Sequence, residues 1–218
     1  MTGEIIANKI RAGRVSICPP ADSARDRRGY REKKSRFAWR CLALYCAIAY
    51  FSGAVAAAPP LRGPDVRYEP TEPEVVQTMV KLADVRPGEV VYDLGCGDGR
   101  VVIAAVLERG ARGVCVDIDP KRIAESRDNA RRAGVEDRIV FLNQDLFETA
   151  IADADVVMLF LYPDLNLKLR PRLLTELAPG ARVVSHWHDM GDWMPQQTVR
   201  LRAAGRGRNI YLWTIPPR

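Results

Sequence analysis

The stretch Val90-Val91-Tyr92-Asp93-Leu94-Gly95-Cys96-Gly97-Asp98-Gly99-Arg100 decides how this chain folds. Its first five residues form a short, mostly apolar run with an acid next to its end, which reads as a buried strand. Glycines at 95, 97 and 99 follow, and residues 101–108 resume apolar spacing of helical period. Strand, glycine turn and helix form the first unit of an open parallel sheet, where ligands lie over the carboxyl ends of the strands. Alternate glycines let the chain turn tightly and let a ligand approach the backbone. A dinucleotide site would require G-x-G-x-x-G with its third glycine at position 100, and position 100 is Arg. The motif present is acid-x-G-x-G-x-G. Carboxylates at Asp93 and Asp98 would repel a pyrophosphate and attract a cation.

Outward from the loop the same alternation continues. Upstream, Thr71 reads as an N-cap, with Pro73 in the first turn and Glu74 three residues after the cap, so a helix is expected over residues 73–83. Its apolar face is Val75, Val76, Met79, Val80 and Ala83. Downstream, strands are expected at 113–116, 139–142, 156–161 and 182–185, and helices at 121–133 and 165–177. Strands alternating with helices imply right-handed parallel crossovers. The end differs: residues 198–202 and 209–215 read as two strands around Ala203-Ala204-Gly205-Arg206-Gly207-Arg208, a hairpin. The expected fold is α/β, a doubly wound, mostly parallel sheet with a C-terminal antiparallel hairpin.

Charge separates the chain into parts. The 218 residues carry a net charge of +6, yet residues 1–58 hold 11 Lys and Arg against 4 Asp and Glu. Residues 59–218 hold 22 bases and 23 acids, so the basicity belongs to the leader. Nucleic-acid binders advertise a basic face. None is expected here beyond a local patch of Arg200, Arg202, Arg206 and Arg208, and no nucleic-acid partner is expected. Residues 41–58, CLALYCAIAYFSGAVAAA, carry no charge, follow a basic stretch and precede Pro59-Pro60. That is the order of a secretory signal, with Ala54-Val55-Ala56 as its cleavage site. At nearly the ~20 residues of a membrane span, the run also reads as an anchor. The organisation expected is a leader over 1–58, a linker over 59–68 and a domain over 69–218, exported or membrane-associated, with the side of the membrane open. Cys18, Cys41, Cys46, Cys96 and Cys115 show no C-x-x-C spacing, so neither a disulfide framework nor a zinc site is expected.

The motif at 93–99 resembles motif I of class I S-adenosylmethionine-dependent methyltransferases, whose cofactor carries ammonium and sulfonium cations. The resemblance implies S-adenosyl-L-methionine as cofactor, with Asp93, Gly95, Gly97 and Gly99 forming its loop. It also implies that Asp117, in Val116-Asp117-Ile118-Asp119-Pro120, accepts the ribose hydroxyls, while Asp119 caps the helix that starts at Pro120. Asp145, after the third strand, has two readings: acceptor for the adenine amino group, or cap of a turn. Acceptor contacts are expected in Phe160-Leu161-Tyr162-Pro163-Asp164-Leu165-Asn166. The Asn/Asp-Pro-Pro-Tyr/Phe motif of enzymes that methylate nucleobase or glutamine amino groups is missing there. Residues 185–193, Ser-His-Trp-His-Asp-Met-Gly-Asp-Trp, read as a substrate-pocket wall or ordinary packing rather than a metal site.

A narrower resemblance rests on Tyr68-Glu69-Pro70-Thr71, the glycine loop with Arg100, Asp145-Leu146-Phe147, Leu161-Tyr162-Pro163, Ser185-His186 and Gly191-Asp192-Trp193-Met194-Pro195. Together they resemble the small lysine methyltransferases whose eukaryotic members modify the adenine nucleotide translocase and the c-ring protein of ATP synthase. That implies protein-lysine N-methylation with a protein partner, the membrane near at hand through the leader; Tyr162 and Asp164 are the catalytic candidates, either of which would guide the amine. Methylation of a small molecule or lipid is the alternative, and a non-catalytic cofactor-binding protein a third reading.

Overall fold

The computed structural model describes residues 62–218. The expected leader, with its signal or anchor and Cys18, Cys41 and Cys46, lies outside the described residues. Among these, no helix is long and apolar enough to cross a membrane. The elements are α1 (Pro73–Leu82), β1 (Val90–Leu94), α2 (Arg100–Arg109), β2 (Arg112–Asp117), α3 (Pro120–Arg132), a 3-10 turn (Glu136–Arg138), β3 (Ile139–Asn143), β4 (Val156–Leu159), α4 (Pro163–Glu176), β5 (Arg182–His186), β6 (Gln197–Ala203) and β7 (Arg206–Thr214).

Seven strands form one sheet in the order β3-β2-β1-β4-β5-β7-β6. The first five are parallel, and β7 pairs antiparallel with both β5 and β6. The doubly wound sheet with a closing hairpin is therefore present. Each face has its own core. Tyr92 and Leu94 of β1 pack with Leu169 and Leu173 of α4, whereas Val91 packs with Val76 and Val80 of α1 and Val101 of α2. β4, Val-Val-Met-Leu, is buried along its whole length, as a central parallel strand covered on both faces must be. Chain order reverses between β1 and β4, which places the ligand crevice over those two strand ends.

The structure departs from the sequence reading at several points. The N-cap of α1 is Glu72, not Thr71, and no side chain caps the helix. The Glu72 carboxylate is instead drawn to Arg208 of β7, which is only 4% exposed. The hairpin is tighter than its composition suggested. Ala203 pairs with Arg206, leaving Ala204 (φ 48°) and Gly205 (φ 75°) as a two-residue turn whose left-handed backbone matches strand twist.

Contrary to the spacing of the cysteines, Cys96 and Cys115 form a disulfide, with Cα atoms 5.4 Å apart. β1 and β2 are parallel neighbours with Asp93 beside Cys115, and Gly95 and Cys96 both donate their N–H to Val116 O. The glycine loop thus begins alongside the end of β2, and a separation of 19 residues becomes contact.

Candidate active site

The glycine loop turns through three left-handed positions, Gly95 (φ 84°), Gly97 (φ 55°) and Gly99 (φ 80°). At two of them space also requires glycine. A Cβ on Gly97 would sit 2.5 Å from the Tyr68 ring, and one on Gly99 would sit 2.8 Å from Ser126 Cβ of α3. Gly99 is the N-cap of α2, so the loop hands over directly to that helix.

Around the loop lies a cavity of about 290 Å³ over the ends of β1 and β4. Asp93, Asp117 and Asp145 all line it, as do Gly95 and Gly97, so the structure brings together the separated acids named from sequence. Gly99 is part of the loop but not of the lining. Asp93 is buried, and its Oδ2 has no hydrogen-bond partner among the described residues. Burial pushes its pKa up to about 7; the Val102 N–H pulls it down, while the charges of Asp117 and Asp98 push it further up. An orphaned buried carboxylate of this kind wants a cationic donor.

Asp117 Oδ2 accepts the Gly97 N–H at 2.9 Å and Oδ1 the Asp119 N–H at 2.9 Å. Burial still holds its pKa above the ordinary carboxylate value. Asp119 caps α3 by accepting the Lys121 N–H at 2.8 Å, as read from the sequence. For Asp145 the turn-cap reading is present in the structure: Oδ1 accepts the Phe147 N–H at 2.9 Å and closes a turn, and the residue also lines the cavity. Its Oδ2 accepts from Arg62 Nε at 2.8 Å. Burial would raise the Asp145 pKa, but the Phe147 N–H and Arg62 win and hold it below the usual range.

Asp98 plays a different part from Asp93. Arg100 Nε and Nη2 donate to its carboxylate at 2.9 and 2.6 Å, and Arg100 Nη1 donates to Thr71 O at 2.8 Å. Burial raises the Asp98 pKa, but Arg100 overcomes it and the net shift is downward. Asp98 is thus already neutralised, and Asp93 is the acid of the glycine loop left to attract a cation. Arg100 also ties the loop to the strand-free segment before α1, whose Tyr68 lies under the Arg122 guanidinium, 4.5 Å from the ring centroid. Arg122 had no signal in the sequence.

On the acceptor side, β4 ends at Leu159, two residues earlier than expected, so Phe160, Leu161 and Tyr162 pass over the sheet edge into the site. A small cleft of about 30 Å³, lined by Glu69, Phe160 and Tyr162 among others, shares five of its residues with the main cavity. Tyr162 is exposed there. Asp164, in the first turn of α4, lines neither cavity. His186 at the end of β5 is buried, packs its ring 4.1 Å from that of Phe160, and has no partner for either ring nitrogen among the described residues. Burial pulls its pKa to about 4, so it is neutral at working pH. Among the described residues no group of three His, Cys, Asp or Glu is placed to hold a metal ion.

Orphaned Asp93 Oδ2, the glycine cradle and the acids at two further strand ends fit S-adenosylmethionine, whose ammonium, ribose and adenine would meet them in turn. Comparison with known proteins agrees. Residues 93–197 match a family described as the ANTKMT methyltransferase domain. The chain is 38% identical over 153 residues to a protein-lysine N-methyltransferase of Saccharolobus islandicus (strain REY15A), covering 70% of this chain and 95% of the relative. It is 35% identical over 125 residues to the adenine nucleotide translocase lysine N-methyltransferase of Mus musculus, covering 57% of this chain and 54% of the relative. Among solved structures, an RNA methyltransferase from Salinibacter ruber in complex with S-adenosyl-L-homocysteine is similar at 49% identity and a TM-score of 0.66, covering 69% of this chain and 95% of that one. A catalytic relative matched over almost its entire length, and a similar chain crystallised with the demethylated cofactor, place this chain in the family of S-adenosylmethionine-dependent methyltransferases that carry the ANTKMT methyltransferase domain.

Proposed function

We propose that this chain transfers a methyl group from S-adenosylmethionine to lysine side chains of a protein acceptor. The observation that carries the reading is the near full-length match to a relative named as a protein-lysine N-methyltransferase. The site supports it, because the Glu69 carboxylate, without an ion pair among the described residues, lines the small cleft where an acceptor would enter.

When bound, the cofactor supplies an electrophilic methyl on a sulfonium. The residues of this chain hold and align. Asp93 receives the ammonium end, Asp117 the ribose hydroxyls and Asp145 the adenine edge. Alignment counts most in a displacement at carbon, where both reactants must lie in line. A lysine must first lose a proton, its reference pKa being about 10.4, and desolvation beside a cation lowers that value. In this reading Tyr162, which lines the cleft, guides the amine, and Asp164 lines neither cavity.

A second reading comes from the solved relative titled an RNA methyltransferase. Arg200, Arg202 and Arg206 are exposed on the β6–β7 hairpin without an ion pair among the described residues, which is where such an acceptor would gain phosphate contacts. The full chain, labelled methyl donor, and equal masses of membrane protein and total RNA from one lysate decide between them. Label recovered as methyllysine after acid hydrolysis supports the first reading, and label confined to RNA refutes it. The leader as signal or anchor is part of the same proposal. The Cys96–Cys115 disulfide supports delivery to an oxidising compartment, where such bonds persist. Fractionation of cells that express the full chain tests it.

A further inference from the structure

Trp187 is a bulky exposed residue held at φ 71°, a backbone region costly for such a side chain. The His188 N–H donates to His186 O at 2.9 Å and closes a three-residue turn of the rare, strained hand around it. Considerable structure enforces this turn. The Trp187 N–H donates to Asn209 O at 2.7 Å, Ser185 Oγ donates to His188 O at 2.7 Å, and buried Asn166 places Nδ2 3.2 Å from both Ser185 Oγ and His188 O. Strain persists only where surroundings over-determine it, and it clusters where a ligand is gripped.

The turn builds a continuous wall. The Arg208 guanidinium lies 4.4 Å from the Trp187 ring centroid, Trp187 stacks on His188 at 5.9 Å and 7°, and His188 meets Tyr162 edge-on at 6.1 Å. Tyr162 is thereby buttressed from behind, with its ring bordering the 30 Å³ cleft that opens sideways into the cofactor cavity. Phe160 forms another side and Glu69 supplies a carboxylate. Among the described residues Glu69 makes no ion pair, and Arg67, which borders the same cleft, does not engage it.

We propose that Glu69, Phe160 and Tyr162 form the acceptor's alkylammonium subsite, with the strained Trp187–His188 turn as its rigid back wall. The inference deepens the lysine reading and rests on it. Aromatic faces attract ammonium groups electrostatically, and a carboxylate adds a charge-assisted hydrogen bond. The cleft has room for an ammonium head. Glu69 and Trp187 are thus determinants of acceptor specificity.

The test titrates n-butylammonium, with 1-butanol as the neutral isostere, into the full chain saturated with S-adenosylhomocysteine, read by saturation-transfer NMR. Butylammonium binds and butanol does not; with S-adenosylhomocysteine kept saturating for each protein, Glu69→Gln weakens the amine about tenfold. Trp187→Gly, whose glycine suits the φ of 71°, keeps or raises the melting temperature yet weakens amine binding. Equal binding of butanol, or an unchanged amine affinity in Glu69→Gln, overturns the subsite. The same proteins are then given a lysine-containing peptide and RNA with labelled donor. Lysine labelling whose KM is indifferent to Glu69→Gln overturns the subsite alone. Labelling of RNA only overturns the lysine reading and this inference with it.

Discussion

Replacing Asp93 by Asn separates the cost of the cofactor site from its use. The buried carboxyl titrates at about 7 against an ordinary 3.8. That gap of about 3 pK units corresponds to roughly 4 kcal/mol by which the ionised form destabilises the fold. The sign is set by proton binding. Between about pH 4 and pH 7 the folded state holds a proton that the unfolded chain has lost, so the Asp93 contribution to stability falls as pH rises and is fully lost above about 7. An amide has no ionisation to resist, though it leaves buried polar atoms costing about 1–3 kcal/mol. At pH 8 the Asp93→Asn protein is therefore expected to melt a few degrees above wild type, with the advantage shrinking towards pH 5. Its affinity for S-adenosylhomocysteine should fall by about 10- to 100-fold through loss of a charged hydrogen bond. Wild-type affinity should itself fall about tenfold from pH 8 to pH 6 as Asp93 is protonated, while that of the variant stays flat. Scanning fluorimetry and isothermal titration calorimetry across pH 5 to 8.5 measure both. Cofactor affinity independent of pH in wild type, or an Asp93→Asn protein that is less stable at pH 8 than wild type, would refute the assignment of a strained, cation-seeking carboxylate.

Gly97→Ala puts a Cβ 2.5 Å from the Tyr68 ring at a left-handed position that costs an alanine about 1–2 kcal/mol, so cofactor affinity should drop about tenfold by calorimetry. The Cys96–Cys115 bond closes a short loop in the chain, worth about 3 kcal/mol. Dithiothreitol should lower the melting temperature of wild type by several degrees, while Cys115→Ala should melt low with or without it. Glu72→Gln strands Arg208, 4% exposed, without its counter-charge, and should cost about 3 kcal/mol in urea unfolding. The Arg208 hydrogen bond holds the Glu72 pKa below its ordinary 4.5, so that contribution is present above about pH 4.5 and fades as pH falls through the lowered value.

The sheet was legible because its signals are local. An apolar run ending in acid and glycine marks β1, and Asp119-Pro120 marks the start of α3 just as the Lys121 N–H confirms. Thr71 misled because a capping sequence says nothing about Arg208, 136 residues from Glu72, which takes the carboxylate beside it. The disulfide was illegible for the same reason. Nineteen residues apart, Cys96 and Cys115 are ordinary small apolar residues until the register of β1 on β2 sets them side by side. The acids of the cofactor site sit at strand ends and follow from topology, but the neutralisation of Asp98 by Arg100 depends on rotamers that spacing does not encode. The acceptor side was least legible, because Glu69, Tyr162 and the 186–188 turn meet only through β4 ending early and β5 running one residue further than read.

Three glycines within five positions make Gly95 to Gly99 a segment with a large entropy to lose on ordering. In most such loops the ligand must supply that ordering. Here Cys96, at the centre of the first half of the loop, is covalently tied to a strand of the sheet core, so much of the freedom is removed before any ligand arrives. The bond thus turns a flexible cradle into a preformed one. Binding then spends little on ordering the backbone, and the affinity gained depends on an oxidation state rather than on any contact with the cofactor.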